Sequence, residues 1–248
     1  MESSTYHDRL SGIQTLWTLV RQAHQPGDEA RVAQEKLLRR YGGAVRRYLQ
    51  GIVRDAEVAD DLFQEFACRL IKGDLHGADP QRGRFRNFVK GVLFHLVADH
   101  HARRKRQPAL LGDQLPEQAV QPPTWEELDR DLVVNWRAEL LARSWQELQD
   151  VERRSGKPLY TVLRFRAENA KLSSTEMAHQ LSALLGKPLT AVNFRQTLHR
   201  AREKFADILL AEVIESLDAP TDEQLHDELH ELGLLEYCKP AMEKKAKS

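Results

Sequence analysis

The side chains best suited to chemistry lie together in the stretch from Arg84 to Arg106. Three histidines and one aspartate occur there: His95, His100, His101 and Asp99. Imidazole and carboxylate groups can hold a metal ion that activates water, which is the chemistry of a metal hydrolase. Their spacing matches none of the recognised zinc patterns, and the sequence has no glycine-rich phosphate loop or nucleophile elbow. We therefore expect no catalytic residue, no metal site and no cofactor, and keep a metal hydrolase as an alternative.

The same stretch is strongly basic. Between residues 82 and 106, eight lysines and arginines stand against a single acid, Asp99. Basic groups neutralise phosphates, while Asn87, His95 and the aromatic Phe94 can contact bases, a combination used in binding single-stranded nucleic acid. Basic residues are also favoured at a helix C-terminus by the helix dipole. The pattern predicts a nucleic-acid-binding helix, with an ordinary basic helix end as the alternative.

A helix of opposite charge precedes it, between Ala56 and Lys72. Apolar residues recur there every three or four positions, as on one buried face: Ala59, Leu62, Phe63, Phe66, Leu70 and Ile71. Glu57, Asp61 and Glu65 lie four positions apart and form an acidic stripe away from that face. The stripe is either a solvated helix face or a docking surface for a basic partner.

The charges of the whole chain balance, with 37 basic and 37 acidic residues and a net charge of zero. Neutrality argues against nucleic-acid binding, because phosphate neutralisation normally needs an excess of lysine and arginine. The charges are nevertheless separated along the chain, since residues 212–236 contain nine acids and no lysine or arginine. This separation predicts different surfaces for different partners.

Helical periodicity runs through nearly the whole sequence and strand-like alternation is missing, so we predict an all-α protein. Four prolines mark a linker over residues 107–127: Pro108, Pro116, Pro122 and Pro123. The linker separates two helical domains, residues 12–106 and 128–217, and an acidic C-terminal extension, residues 218–248, follows them. In the extension we expect one short helix at most, within either a solvated tail or a segment that covers the basic helix. Because no apolar run reaches the roughly 18 residues of a membrane span, we expect a cytoplasmic protein.

The second domain contains signals for a helix-turn-helix. Ser173 and Glu176 predict a capping box, Gly186 ends the helix that follows, and Thr190 can cap a long second helix. Polar side chains cluster on the outward side of that second helix: Asn193, Arg195, Gln196, His199, Arg200 and Arg202. The best candidates to read bases are Arg195 and Gln196, whereas the later arginines suit phosphates.

Two segments of the first domain resemble region two of sigma factors of the sigma-70 class. They are AEVADDLFQEFACRLI and GDLHGADPQRGRFRNFVKGVLFHLVADHHARRKR, and the ADPQRGRFRNF passage is similar to extracytoplasmic-function groups of planctomycete-type bacteria. The resemblance implies docking of the acidic helix on core RNA polymerase through Asp60, Asp61, Gln64 and Glu65. It also implies that the basic helix melts and holds the promoter −10 element through Asn87, Lys90, His95, Asp99, His100, Arg103 and Arg104.

The helix-turn-helix segment, VLRFRAENAKLSSTEMAHQLSALLGKPLTAVNFRQTLHRAREKFADILL, resembles sigma region four of the same family. That resemblance implies reading of the −35 element by Thr190, Asn193, Arg195, Gln196, His199, Arg200 and Arg202. The partners implied are core RNA polymerase and promoter DNA, with an anti-sigma factor or another regulator as a further candidate and no membrane.

The main alternative is a helix-turn-helix regulator that binds duplex DNA as a dimer and does not associate with polymerase. This alternative requires a dimerisation element, for which residues 128–148 or the acidic extension could serve. It leaves the acidic helix unexplained, and residues 128–148 are more economically the opening helix of the second domain.

Overall fold

The protein is helical throughout the part of the chain that its structure describes, a computed structural model covering residues 16–25, 27–72, 85–106, 124–217 and 220–246. Within those ranges there are ten helices and no strand, which confirms the predicted all-α class. The helices are α1 (Leu16–Ala23), α2 (Asp28–Val53), α3 (Ala56–Lys72), α4 (Phe85–Arg106), α5 (Trp125–Ser155), α6 (Leu159–Glu168), α7 (Ser174–Leu185), α8 (Ala191–Glu215), α9 (Asp222–Glu231) and α10 (Leu235–Ala246).

The chain divides into two compact units, and α5 contributes to both. The first unit is Met1–Glu139 with Ile214–Leu225, and the second is Leu140–Val213 with His226–Ser248. Residues 128–139, which the sequence placed at the opening of the second domain, therefore belong to the first unit. Of the predicted linker, residues 107–123 lie outside the described residues, whereas residues 125–127 already form the first turn of α5.

Helix α3 has the bounds that the sequence predicted, and local capping explains its start. The Asp55 carboxylate accepts hydrogen bonds from the backbone N–H groups of Glu57 and Val58, at 3.0 and 3.2 Å. Helix α2 ends just before it, at Arg54, whose left-handed backbone (φ 53°) reverses the chain. Most of the apolar face predicted for α3 is buried, but Ile71 remains 49% exposed.

One glutamine connects the ends of two helices in the first unit. The Gln34 side-chain amide, on α2, donates to the carbonyl oxygen of Ala23 at 2.8 Å and to that of Ile71 at 3.2 Å. These carbonyls are in the last turns of α1 and α3, where no intrahelical donor remains for them. Gln34 therefore fixes both helices against α2, on which both of them pack.

A buried aromatic cluster joins three helices of the first unit. Tyr41 of α2 stacks on Trp136 of α5, with ring centroids 4.6 Å apart and planes 13° apart. Phe85, the first residue of α4, contacts both rings, with centroids 5.7 Å from Tyr41 and 6.1 Å from Trp136. Trp136 is only 1% exposed. Aromatic pairs of this kind contribute about 0.5–1.5 kcal/mol each beyond the area that they bury. This cluster explains why the first half of α5 packs with the first unit.

The second unit is built on the later half of α5. Leu148 of α5 is buried with Leu159, Ala201 and Ile208, and Trp145 contacts Phe205 with ring centroids 4.8 Å apart. A neighbouring core cluster joins α6, α7 and α8: Val162, Met177, Ala178, Leu181, Phe194 and Leu198. These two clusters hold the predicted helix-turn-helix pair, α7 and α8, on a common apolar base.

The acidic C-terminal extension contains two helices, so the prediction of one short helix at most was wrong. Thr221 and Gln224 form a reciprocal cap at the start of α9, with hydrogen bonds of 3.0 and 3.2 Å. Gly233, with φ of 64°, lies in the turn after α9. The extension buries four apolar side chains almost completely: Leu229, Leu232, Leu234 and Cys238. Lys244 of α10 forms an ion pair with Asp207 of α8 at 3.2 Å. The extension is therefore a packed element instead of a solvated tail.

The glycines of α2 provide a test of its packing against α3. A Cβ at Gly42 would lie 3.1 Å from the Phe63 ring, which the Arg46 guanidinium covers at 4.8 Å, whereas a Cβ at Gly51 would meet no atom within 4 Å. We expect Gly51→Ala to stabilise the protein by about 1 kcal/mol through helix propensity. Gly42→Ala should destabilise it, because overpacking costs about 1–3 kcal/mol. Urea denaturation measures both, and equal stabilisation would contradict the described contact.

The two cysteines provide a test of the folded extension. Cys238 is 0% exposed, and burial raises the pKa of its thiol to about 12, whereas Cys68 is exposed. Because the thiolate is the reactive form, we expect a thiol reagent to label Cys68 alone in the native protein and both cysteines in denaturant. Mass spectrometry of the labelled chain measures this, with Cys68→Ser as the control that should leave no fast-reacting thiol. Equal native labelling of both cysteines would show that α9 and α10 do not pack as described.

Candidate functional site

Helix α4 presents a polar face at intervals of one helical turn. Asn87, His95, Asp99 and Arg103 are all exposed, and Gly91 continues the same series between Asn87 and His95. A Cβ at Gly91 would meet no atom within 4 Å, so the space beside His95 is open instead of filled by close packing. The face thus combines an amide, an imidazole and a guanidinium, groups that can contact bases and phosphates. Gly91 leaves an open space between the amide and the imidazole.

The remaining predicted contacts on α4 differ in exposure. Arg104 is exposed and His100 is half-buried. Arg86, one of the basic residues counted between residues 82 and 106, is only 3% exposed, so it does not contribute to the accessible surface of α4. The basic residues Arg82 and Arg84 of the ADPQRGRFRNF passage lie outside the described residues. The accessible part of the basic helix is therefore its polar face and its C-terminal half.

Lys90 is largely buried and paired, which the sequence did not reveal. Its side chain is 12% exposed and its ammonium lies 2.7 Å from the Asp129 carboxylate of α5. The neighbouring Tyr48 hydroxyl has its pKa raised well above the usual range, first by burial and then by the negative charges of Asp131 and Asp129. The start of α5 therefore places carboxylates against α2 and α4. Lys90 can contact DNA only if its pair with Asp129 opens.

The four predicted docking residues on α3 fall into two classes. Asp61 and Gln64 are exposed, and neither forms a hydrogen bond or ion pair within the described part of the chain. Asp60 lies 3.1 Å from the Arg46 guanidinium, in an ion pair whose geometry is not that of a hydrogen bond. Glu65 contacts Arg69 at 2.5 Å and Arg103 at 3.3 Å. Asp61 and Gln64 can thus bind a partner directly, whereas Asp60 and Glu65 would first have to leave their arginine partners.

The acidic helix α3 and the basic helix α4 are linked by ion pairs. Glu65 of α3 contacts Arg103 of α4, and Arg69 of α3 approaches Asp99 of α4 at 3.9 Å. All four side chains are at least 30% exposed, so water screens them and each pair contributes at most about 1 kcal/mol. Such weak pairs hold the charged faces in place but can exchange partners.

The turn between α7 and α8 is fixed by side-chain hydrogen bonds. Ser173 and Glu176 form the predicted capping box, and Gly186 ends α7 in a left-handed conformation with φ of 61°. The Ser182 hydroxyl accepts from the Leu189 N–H at 2.8 Å, and the Thr190 hydroxyl accepts from the Asn193 N–H at 3.1 Å. Thr190 therefore caps α8 as predicted, and its hydroxyl oxygen is already used there.

Helix α8 has one buried and one polar face. Phe194, Leu198 and Ala201 are buried, whereas the predicted contact residues are all exposed: Asn193, Arg195, Gln196, His199, Arg200 and Arg202. His199 lies 3.7 Å from Glu203, an ion pair only when the imidazole is protonated. This arrangement can present hydrogen-bond donors to the edges of bases in a major groove.

The described residues do not form the cluster of side chains that a metal ion needs. No group of three or more histidine, cysteine, aspartate or glutamate side chains is arranged among them to hold a metal ion. His100 and His101 face each other edge-on at 5.8 Å between ring centroids, as neighbours on α4.

None of the helices described is long and apolar enough to cross a membrane.

Comparison with known proteins identifies one family for part of the chain. The family model of Sigma-70 region 2 matches residues 37–107, the segment that contains most of α2 and all of α3 and α4. No curated protein and no solved structure matched the chain. The match covers the acidic and basic helices on which the region-two resemblance was based. Proteins of this family are transcription initiation factors and not enzymes, with core RNA polymerase and promoter DNA as their partners. Residues 37–107 are therefore similar to region 2 of sigma-70 factors.

Proposed function

We propose that the chain is an extracytoplasmic-function sigma factor that brings core RNA polymerase to specific promoters. The observation that carries the proposal lies within the segment matching Sigma-70 region 2, where an exposed acidic helix, α3, packs beside a basic helix, α4. Two neighbouring faces of opposite charge suit a protein that binds a basic protein surface and DNA at the same time.

Docking on core polymerase is assigned to the acidic face of α3. Asp61 and Gln64 are exposed and can bind a basic partner directly. Asp60 would leave Arg46, and Glu65 would leave Arg103, to pair with basic groups of the polymerase. This exchange costs little, because exposed ion pairs contribute only about 0–1 kcal/mol.

Capture of the −10 element is assigned to the exposed face of α4. Asn87, His95 and the open surface at Gly91 can receive an unstacked base, while Arg103 and Arg104 suit phosphates. Asp99, which lies 3.9 Å from Arg69, would hold that guanidinium instead of contacting the anionic backbone itself. His100 is half-buried, so part of its ring is available to DNA.

Reading of the −35 element is assigned to α8, the second helix of the helix-turn-helix. Its polar face can enter a major groove while the capped turn from Gly186 to Thr190 approaches the backbone. Because each domain binds its element weakly alone, linking them in one chain raises the effective concentration of the second contact.

The competing function is that of a helix-turn-helix regulator that does not bind polymerase. The match of residues 37–107 to Sigma-70 region 2 favours the sigma factor, because that alternative gives the acidic face no role. The two functions differ in one measurable property, which is binding to core polymerase in the absence of DNA.

We predict that Asp61→Lys abolishes binding to core polymerase and run-off transcription, because it inverts the charge of an exposed carboxylate at the centre of the acidic face, one without an ion pair among the described residues. Glu35→Lys is the matched control, since Glu35 is exposed on α2 and distant from the acidic stripe in sequence. Binding is measured with labelled chain and purified core enzyme, and transcription with a library of host genomic fragments.

The control variant should retain both activities. A wild-type chain that neither binds core enzyme nor directs initiation from any fragment at low salt would disprove the proposed function. Retention of both activities by Asp61→Lys would disprove the docking assignment alone.

We also predict that Asp129→Asn strengthens binding of single-stranded DNA several-fold, because it removes the carboxylate that holds the Lys90 ammonium at 2.7 Å. Fluorescence anisotropy with a labelled mixed-sequence oligonucleotide measures the affinity. Asp150→Asn removes a carboxylate paired with Arg153 at 2.9 Å on the same helix and should change nothing. An unchanged affinity for Asp129→Asn would show that Lys90 does not contact DNA.

A further inference from the structure

A cavity of about 450 Å³ lies within the second unit, beside the face of α8 proposed to read DNA. Its floor is apolar, formed by Leu172, Met177, Phe194 and Leu198. Its rim is polar and comes from three helices: Arg166 of α6, Ser173 and Ser174 at the start of α7, and Arg195, His199 and Arg202 of α8. Among the residues that the structure describes, no acidic side chain lines the cavity, so its wall holds three guanidinium groups and no carboxylate to neutralise them.

The arginines of the rim differ in how they are held. The Arg166 guanidinium donates to the Ala170 carbonyl oxygen at 2.7 Å and is half-buried, so its position is fixed. Arg195 and Arg202 are exposed and form no hydrogen bond or ion pair among the residues that the structure describes. One anchored and two exposed guanidinium groups can contact an anion that enters between them.

The positive potential comes from these side chains and not from the N-terminus of α7. The Ser173 N–H donates to the Glu176 carboxylate at 2.7 Å, and the Glu176 N–H donates to the Ser173 hydroxyl oxygen at 3.3 Å. The first amides of α7 are thus partly used by its own capping box. An anion in the cavity would be bound by the guanidinium groups, with the hydroxyl of Ser174 as a further donor.

We propose that this cavity binds a backbone phosphate of the duplex that α8 reads, with Arg166, Arg195 and Arg202 as the clamp. The inference rests on the proposed function of α8. Arg166 was not predicted to contact DNA, since it belongs to α6, outside the helix-turn-helix pair. The assignment also moves Arg195 from base reading to phosphate binding. Specificity for bases then falls to Asn193 and Gln196, which are exposed on the same helix but do not line the cavity.

Guanidinium groups are suited to this ligand because their forked donors match two phosphate oxygens at once. The apolar floor excludes water from one side of the site and strengthens the electrostatic attraction. A free phosphate or a mononucleotide offers the same chemistry, and a cavity of this volume could admit either. Duplex DNA is favoured because the cavity opens beside residues on the outward face of α8.

The test compares Arg166→Gln and Arg202→Gln with Arg164→Gln in the full chain. Arg164 is the matched control, because it lies on α6, pairs with Glu168 at 2.6 Å and does not line the cavity. Binding to a mixed-sequence duplex is measured across a range of salt concentrations. Each lost phosphate contact should reduce the slope of log affinity against log salt by about 0.9, without altering the preference among sequences.

We expect this reduction for Arg166→Gln and Arg202→Gln and the wild-type slope for Arg164→Gln. Circular dichroism melting of each variant separates loss of fold from loss of contact. Wild-type slopes in both cavity variants would overturn the inference while leaving duplex recognition by α8 intact. A wild-type chain without any duplex binding at low salt would instead contradict the role of α8 itself.

Titration with inorganic phosphate and with a mononucleotide distinguishes the source of the anion. We expect both to bind only weakly, at millimolar concentration, and to compete with the duplex. Saturable micromolar binding of the mononucleotide, together with unchanged duplex binding by the cavity variants, would identify a small-molecule site and overturn the assignment to DNA.

Discussion

The stacking of Tyr41 on Trp136, with Phe85 against both, is the contact on which the first unit depends. It joins α2, α4 and the first half of α5, and it fixes the first residue of the basic helix within the core. Truncating a buried tryptophan to alanine typically costs about 3–5 kcal/mol, a large fraction of the stability of a small domain. The cluster also determines where Asp129 lies, two turns before Trp136 on α5, and hence the partner of Lys90.

The net charge of zero results from local pairing as well as from separation. Carboxylates of α3 and α5 contact basic groups of α4, while Lys244 of the acidic extension pairs with Asp207 of α8. The exposed pairs are weak enough to open, whereas the ammonium group of Lys90 in its pair with Asp129 is largely buried and less screened by water. A chain built in this way carries its own counter-charges, and any charged partner has to compete with them at each contact.

Features set by neighbours in sequence could be predicted, and features set by distant residues could not. The bounds of α3, the capping box of Ser173 and Glu176 and the polar face of α8 follow from local periodicity and caps, and the structure contains them. The burial of Arg86, the pairing of Lys90 and the division of α5 depend on contacts across the unit. The second helix of the extension was not predicted, because the acidic composition of the segment gave no sign of a second buried face. The docking and promoter contacts themselves remain predictions.

The double hydrogen bond of Gln34 has a consequence for the durability of the protein. The side-chain amide of Gln34 holds the C-terminal ends of both α1 and α3. Chemical damage to this one amide would therefore affect both helix ends. Hydrolysis of that amide during ageing would leave a carboxylate, which cannot donate and would face two carbonyl oxygens. Both helix ends would then fray at once, and the acidic face of α3 would lose its anchor at the end opposite to Asp55.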